Sequence, residues 1–349
     1  MIARVLAALL IAAALLPVPA VVRAADAPVS VTIDAAEAQT TLTILGKLHA
    51  GSAVASSDWN ALFATRGYQR LKEREAAFKR PFTDDDFKAF VSGAPLIAQY
   101  QSLRDTLNRW MSADITQIAQ RSFAYLPAGA TIHATVYPLI KPKTNSFVYQ
   151  LDTDPAIMLY LDPSVTKDQF ANTVSHELLH TGDAQNCPPP AIAAQEKTLD
   201  PRRKAVLMWL SAFGEGWAVL AAAGGPGVHP HWEDPPADRA VWDKAMSGYD
   251  GDFQTLQQFF SDVAGGKLTG DAIATKAYTF FGAVQGPWYT VGYKMDVTIE
   301  REFGRPKLIE VLCDKREYLA TYNAAASASN QRGNTALPLW PAALANLFN

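Results

Sequence analysis

Residues 176–180 read HELLH, inside TVSHELLHTGD, and no other stretch restricts the fold of this chain so tightly. His occurs only 6 times in 349 residues, so a shuffled chain of this composition would produce His-Glu-x-x-His about three times in a thousand. The surrounding run, SVTKDQFANTVSHELLH, begins after Asp162-Pro163 and repeats apolar residues every four positions, at Phe170, Val174 and Leu178. That spacing predicts a helix with one buried stripe. On such a helix His176 and His180 lie one turn apart on a shared face. Both imidazoles can then converge on one Zn²⁺, with Glu177 alongside, near a metal-bound water. The plainer alternative is a half-buried helix carrying two hydrogen-bonded histidines.

A catalytic zinc needs a third protein ligand and an open position for water. The extended pattern HExxHxxGxxH would require Gly at 183 and His at 186, but the chain has Asp183 and Asn186. The remaining candidate is Glu215, in the helix-like run VLMWLSAFGEGWAVLAAAG. It sits between Gly214 and Gly216, small neighbours of the kind a second helix needs to approach the motif helix closely.

HELLH followed by Phe213-Gly214-Glu215-Gly216-Trp217-Ala218 resembles the gluzincin metallopeptidases, in which a glutamate in an E-G-x-A context on a second helix completes a His-His-Glu zinc site. Tyr289-Thr290-Val291-Gly292, inside GPWYTVGYKM, is similar to a Tyr-x-x-Gly element of the aminopeptidase branch, whose tyrosine hydroxyl stabilises the transition state. Together HELLH, FGEGWA and GPWYTVGY most resemble a bacterial family of unknown function grouped as zinc-dependent peptidases, over roughly residues 130–315. The resemblance implies a gluzincin-like fold, a Zn²⁺ cofactor and a peptide or protein substrate. It does not extend to specificity. No Gly-x-Met-Glu-Asn segment precedes the motif, and Glu215 lacks the Asn-Glu-x-x-Ser-Asp context of thermolysin-like enzymes.

The expected metal ligands are therefore His176, His180 and Glu215, and the expected reaction is metal-assisted peptide hydrolysis. Zinc can lower the pKa of a bound water from near 16 to about 7. Glu177 is placed to take that proton as general base and return it to the leaving amine. Tyr289 is the expected donor to the carbonyl oxygen as it gains charge, an interaction typically worth about 2.7–4 kcal/mol. Tyr293 is the reserve donor; the bland alternative for Tyr289 is packing in an aromatic cluster with Trp288 and Tyr293. Two further functions stay open: a zinc-dependent hydrolase of a non-peptide amide or ester, and a noncatalytic secreted binding protein on the same scaffold. A binding module gains nothing from a general base beside a metal, which weighs against the last.

Other polar residues carry weaker expectations. Asp183 could hold the second ring nitrogen of a zinc-bound histidine, although a polar helix end explains it more simply. His229 and His231, in GVHPHWED, read as loop residues rather than a second metal site, and His133 as a structural histidine. Trp232 is a candidate cover for substrate.

At the N-terminus, Arg4 precedes VLAALLIAAALLPVPAVV, and Val22 and Ala24 suit a cleavage site. Residues 1–24 are expected to be a signal peptide, which implies a periplasmic or extracellular protein with no stable membrane insertion after cleavage; the alternative is a retained membrane anchor, against which Pro17, Pro19 and the small-residue end weigh. Loss of Arg4 and Arg23 takes the formal charge from −3 to −5, and nothing basic enough for a nucleic-acid partner stands out. Oligomeric state is not legible. In an oxidising compartment, Cys187 and Cys313 could pair or remain buried thiols.

The expected fold is α+β and mainly α-helical. Residues 25–128 read as an N-terminal helical region, with Thr83 and Asp86 at capping-box spacing, and 129–349 as the catalytic region. ATVYPLI, SFVYQL and AIMLYL predict a small, mostly antiparallel sheet within residues 131–161, with the cleft between sheet edge and zinc. After Tyr289, GYKMDVTIEREFG predicts a helix stopping at Gly304.

Overall fold

The computed structural model describes residues 28–151, 153–282, 285–333 and 336–348, so the expected leader lies outside the described residues. The chain is mainly helical, around a four-stranded mixed sheet of order β1-β2-β4-β3. The strands are β1 Val29–Ile33, β2 Ile132–Leu139, β3 Phe147–Tyr149 and β4 Ala156–Tyr160.

This sheet corrects the expectation of a mostly antiparallel one confined to residues 131–161. β1 runs parallel to β2 and β2 parallel to β4; only the β3–β4 pair is antiparallel. The cause is where β4 goes. After the turn that follows β3, it inserts between β3 and β2 and so runs in the direction of β2. Composition carried a cue: ATVYPLI and AIMLYL are nearly continuous apolar runs, as in strands covered on both faces, and Val136, Leu139, Ile157 and Met158 are all buried. β1, VSVTI, falls in the stretch expected to be helical. Its residues alternate between half-buried and exposed, the period of an edge strand.

The motif helix, Lys167–Asn186, starts at a capping box: the Thr166 hydroxyl accepts from the Gln169 N–H, and the Gln169 side chain accepts from the Thr166 N–H. Its stripe of Phe170, Val174 and Leu178 is buried as its spacing predicts. At its far end Gln185 and Asn186 bond the backbone of His133 and Thr131, fastening the helix to the start of β2. Thr83 and Asp86 form the expected capping box ahead of Asp84–Val91.

Residues 201–223 form a nearly continuous helical run, ending in the helix Gly214–Ala223. It is long and apolar enough to cross a membrane, yet 72% of its most apolar stretch is buried inside the protein, which marks a core helix. A helix over Pro287–Phe303 begins with proline in its first turn and stops at Gly304, whose φ is +82°. Cys187, just past the motif helix, is bonded to Cys313 at the end of the helix Arg305–Cys313.

Candidate metal centre

The motif helix and the Glu215 helix bring three donor atoms to one point. His176 Nε2 lies 3.1 Å from His180 Nε2 and 3.2 Å from Glu215 Oε2, and His180 Nε2 lies 3.3 Å from the same oxygen. Ligand bonds of about 2.0–2.1 Å in a tetrahedral arrangement put neighbouring donors about 3.3 Å apart. Lone pairs of two imidazoles and a carboxylate that converge this closely need a cation or protons between them. The residues therefore fit Zn²⁺, and the three together could hold a metal ion. In the metal-free protein, protons take that place. Burial acts to lower the His180 imidazolium, but the Glu215 carboxylate overrides it and pushes the pKa up to about 9. Burial would raise the Glu215 carboxyl, yet His180 and His176 hold it well below the usual range.

Glu177 follows His176 and is partly exposed. Its charge is felt at both His180 and Tyr289, so its carboxylate borders the donor cluster.

Backbone contact between two helices seats Glu215 and Tyr289. A Cβ added at Gly216 would lie 2.1 Å from the Tyr293 nitrogen and 2.3 Å from the Gly292 carbonyl carbon; one added at Gly292 would lie 2.9 Å from the Phe213 oxygen. Each glycine makes room for the other helix. This revises the expected reason for the glycines beside Glu215: Gly216 admits the Tyr289 helix rather than the motif helix, and Gly214 has no atom within 4 Å of an added Cβ.

The tyrosines separate clearly. The Tyr289 ring stacks near that of His176, at 6.3 Å between centroids and 18° between planes, and its hydroxyl lies close enough to Glu215 to feel that carboxylate's charge. Burial first, and then the Glu215 charge, raises the phenol, so it remains protonated at neutral pH. Tyr293 turns away and donates to the Val228 carbonyl at 3.4 Å, while its ring meets Trp242. Trp288 is buried elsewhere, donating to the Ala277 carbonyl. The three aromatic residues do not form one cluster.

The remaining candidates lie outside the triad. Asp183 Oδ2 is 3.6 Å from Lys315 Nζ, and its Oδ1 is buried without a hydrogen-bond partner. His229 bonds Asp243, and His231 bonds Asp234 and Gln285, so these loop histidines have partners other than a metal. The His133 side chain is exposed on β2. Trp232 is 53% exposed on the Pro-rich loop. Sequence reasoning missed Phe281, whose ring packs edge-on against Tyr289; no local pattern around it gives a signal.

A family model described as "Putative zinc dependent peptidase (DUF5700)" matches residues 59–331. The match reaches well into the N-terminal helical region. No curated protein and no solved structure matches.

Proposed function

We propose, since this chain belongs to the DUF5700 family, that it is a secreted zinc metallopeptidase whose site residues are His176, His180 and Glu215 for the metal and Glu177 and Tyr289 for the chemistry. The observation that carries this reading is the convergence of the three donor atoms within 3.3 Å, with Glu177 beside them. Bound zinc would supply a Lewis acid that polarises a carbonyl and lowers the pKa of water.

Glu177 then accepts the proton of the attacking water and delivers it to the nitrogen of the leaving amine. Tyr289, still protonated, can donate a hydrogen bond to the carbonyl oxygen as negative charge collects there. A peptide substrate is further supported by β3, the last strand of the sheet, whose outer edge can pair with an extended chain. Export is supported by the leader-like N-terminus and by the Cys187–Cys313 bond, which suits an oxidising compartment.

The test is Glu177→Gln assayed beside wild type, with zinc measured by elemental analysis and hydrolysis followed on a mixed peptide library. We expect one zinc in both proteins and hydrolysis only in wild type. Full activity in the variant would remove Glu177 as the base; zinc that persists in both His176→Ala and Glu215→Ala would remove the ligand set.

A further inference from the structure

Four cations surround one buried carboxylate next to the outer strand of the sheet. Arg74, on the helix Arg66–Ala77, bonds Glu75 and lies 3.7 Å from the centre of the Phe147 ring and 4.3 Å from that of Phe78. Arg80 comes within 3.2 Å of the Glu75 carboxylate and Lys143 within 3.5 Å. Lys141 is 2% exposed; its ammonium donates to the Lys143 and Asn145 carbonyls and sits 5.1 Å from the Phe147 ring centre. Burial, with the cations Arg74, Lys143 and Arg80 opposing Glu75, brings the Lys141 pKa down to about 8. One carboxylate cannot balance four cations, and positive charge gathered against low-dielectric walls draws an anion. A cavity of about 190 Å³ opens at this place, lined by Leu71, Glu75, Arg80, Phe82, Lys141 and Lys143.

Strand direction says which anion. Phe147, packed under Arg74 and near Lys141, is the first residue of β3, and β3 is the end strand of the sheet. A peptide added antiparallel to β3 runs the opposite way, so its C-terminal end arrives at Phe147 and the cations. A parallel peptide would bring its ammonium there and be repelled.

We propose that this pocket binds the C-terminal carboxylate of a peptide laid antiparallel along β3. The proposal rests on the peptidase reading and deepens it by fixing the direction of the substrate and the terminus that is recognised. Arg80 and Lys143, both partly exposed, are the side chains that reach the carboxylate. Arg74 and Lys141 are held by Glu75, the rings and the loop carbonyls.

The test uses a peptide that wild type cleaves, made as the free acid and as the C-terminal amide. Each is titrated by calorimetry into zinc-loaded Glu177→Gln protein, which binds without turnover. The free acid is expected to bind about tenfold or more tightly than the amide, the range of a charge-assisted hydrogen bond. In Arg80→Gln and Lys143→Gln, separately and together on the Glu177→Gln background, that ratio falls toward one while zinc content and thermal midpoint hold. Equal binding of acid and amide before these substitutions, or a ratio that survives them, overturns the pocket and leaves the peptidase reading standing. A wild-type protein that cleaves no peptide overturns both.

Discussion

Replacing Gly216 with alanine tests the geometry of the centre most sharply. The new methyl carbon would lie 2.1 Å from the Tyr293 nitrogen and 2.3 Å from the Gly292 carbonyl carbon. Both are backbone atoms, so no side chain can swing aside. Ordinary contact begins near 3.4 Å, and the two helices must part by about 1 Å to restore it. Overpacking costs about 1–3 kcal/mol, and more where backbone must shift, so a loss of about 3 kcal/mol or more is expected. Glu215 adjoins the contact and Tyr289 lies one turn before Gly292. A displacement of about 1 Å at reacting groups can lower kcat/KM about a hundredfold. Gly214→Ala is the internal control. Gly214 has helical dihedrals, φ −54° and ψ −23°, and open space around it. Alanine there should be neutral or stabilise by about 0.4–1 kcal/mol. Denaturant midpoints of metal-free protein, zinc stoichiometry and kcat/KM on one peptide separate the two variants. If Gly216→Ala unfolds and turns over like Gly214→Ala, the helices are not in backbone contact and the seating of Glu215 and Tyr289 given above is wrong.

Three further outcomes are expected. Tyr289→Phe should lower kcat by about 10²–10³ with zinc retained, whereas Tyr293→Phe, which loses only a long bond to Val228, should stay within a few-fold; equal effects in the two variants would contradict their separation. In metal-free protein the proton on His180 persists up to about pH 9, so zinc uptake at pH 7 should release about one proton and tighten about tenfold per pH unit up to that point. Calorimetry in buffers of different ionisation enthalpy measures this, and no release at pH 7 would refute it. Burial raises the Glu37 carboxyl from 4.5 to about 8, against the lowering bonds from Ile140 N–H and the Thr41 hydroxyl. The folded protein then holds a proton that the unfolded chain gives up. The stability this supplies is complete below 4.5 and is lost as pH rises to about 8. Urea midpoints of wild type should fall more than those of Glu37→Gln across that window; parallel curves would count against it.

Local spacing made the motif helix and its facing histidines legible, because one helix places residues four apart on one face whatever surrounds it. Glu215 was legible as a candidate from its glycine context and does meet the motif helix, but the close approach that Gly216 permits is to the Tyr289 helix, and nothing local says which neighbour fills that space. Tyr289 and Tyr293 also sit four apart, yet one reaches Glu215 and the other Val228. Only the neighbours around the helix distinguish them. The strands of residues 131–161 were visible as apolar runs, while their order depends on β4 inserting beside β2. The cation cluster draws on Arg74 and Arg80 from one region and Lys141 and Lys143 from another, a juxtaposition that no sequence window contains.

The parallel pairing of β1 with β2 also governs how the protein can assemble. The partners Val29 and Ile132 stand about a hundred residues apart, and closing a flexible loop of that length costs on the order of 4 kcal/mol in chain entropy. The intervening helices can form from local contacts and shorten the gap before the strands meet. β1 is therefore expected to dock late, after β2, β4 and β3 have joined over much shorter connections. Until it arrives, the backbone of β2 is an open edge lined by apolar residues, able to accept a strand from another molecule. A chain cut past Ile33 would keep that edge permanently, and its hazard would be aggregation rather than loss of the metal ligands.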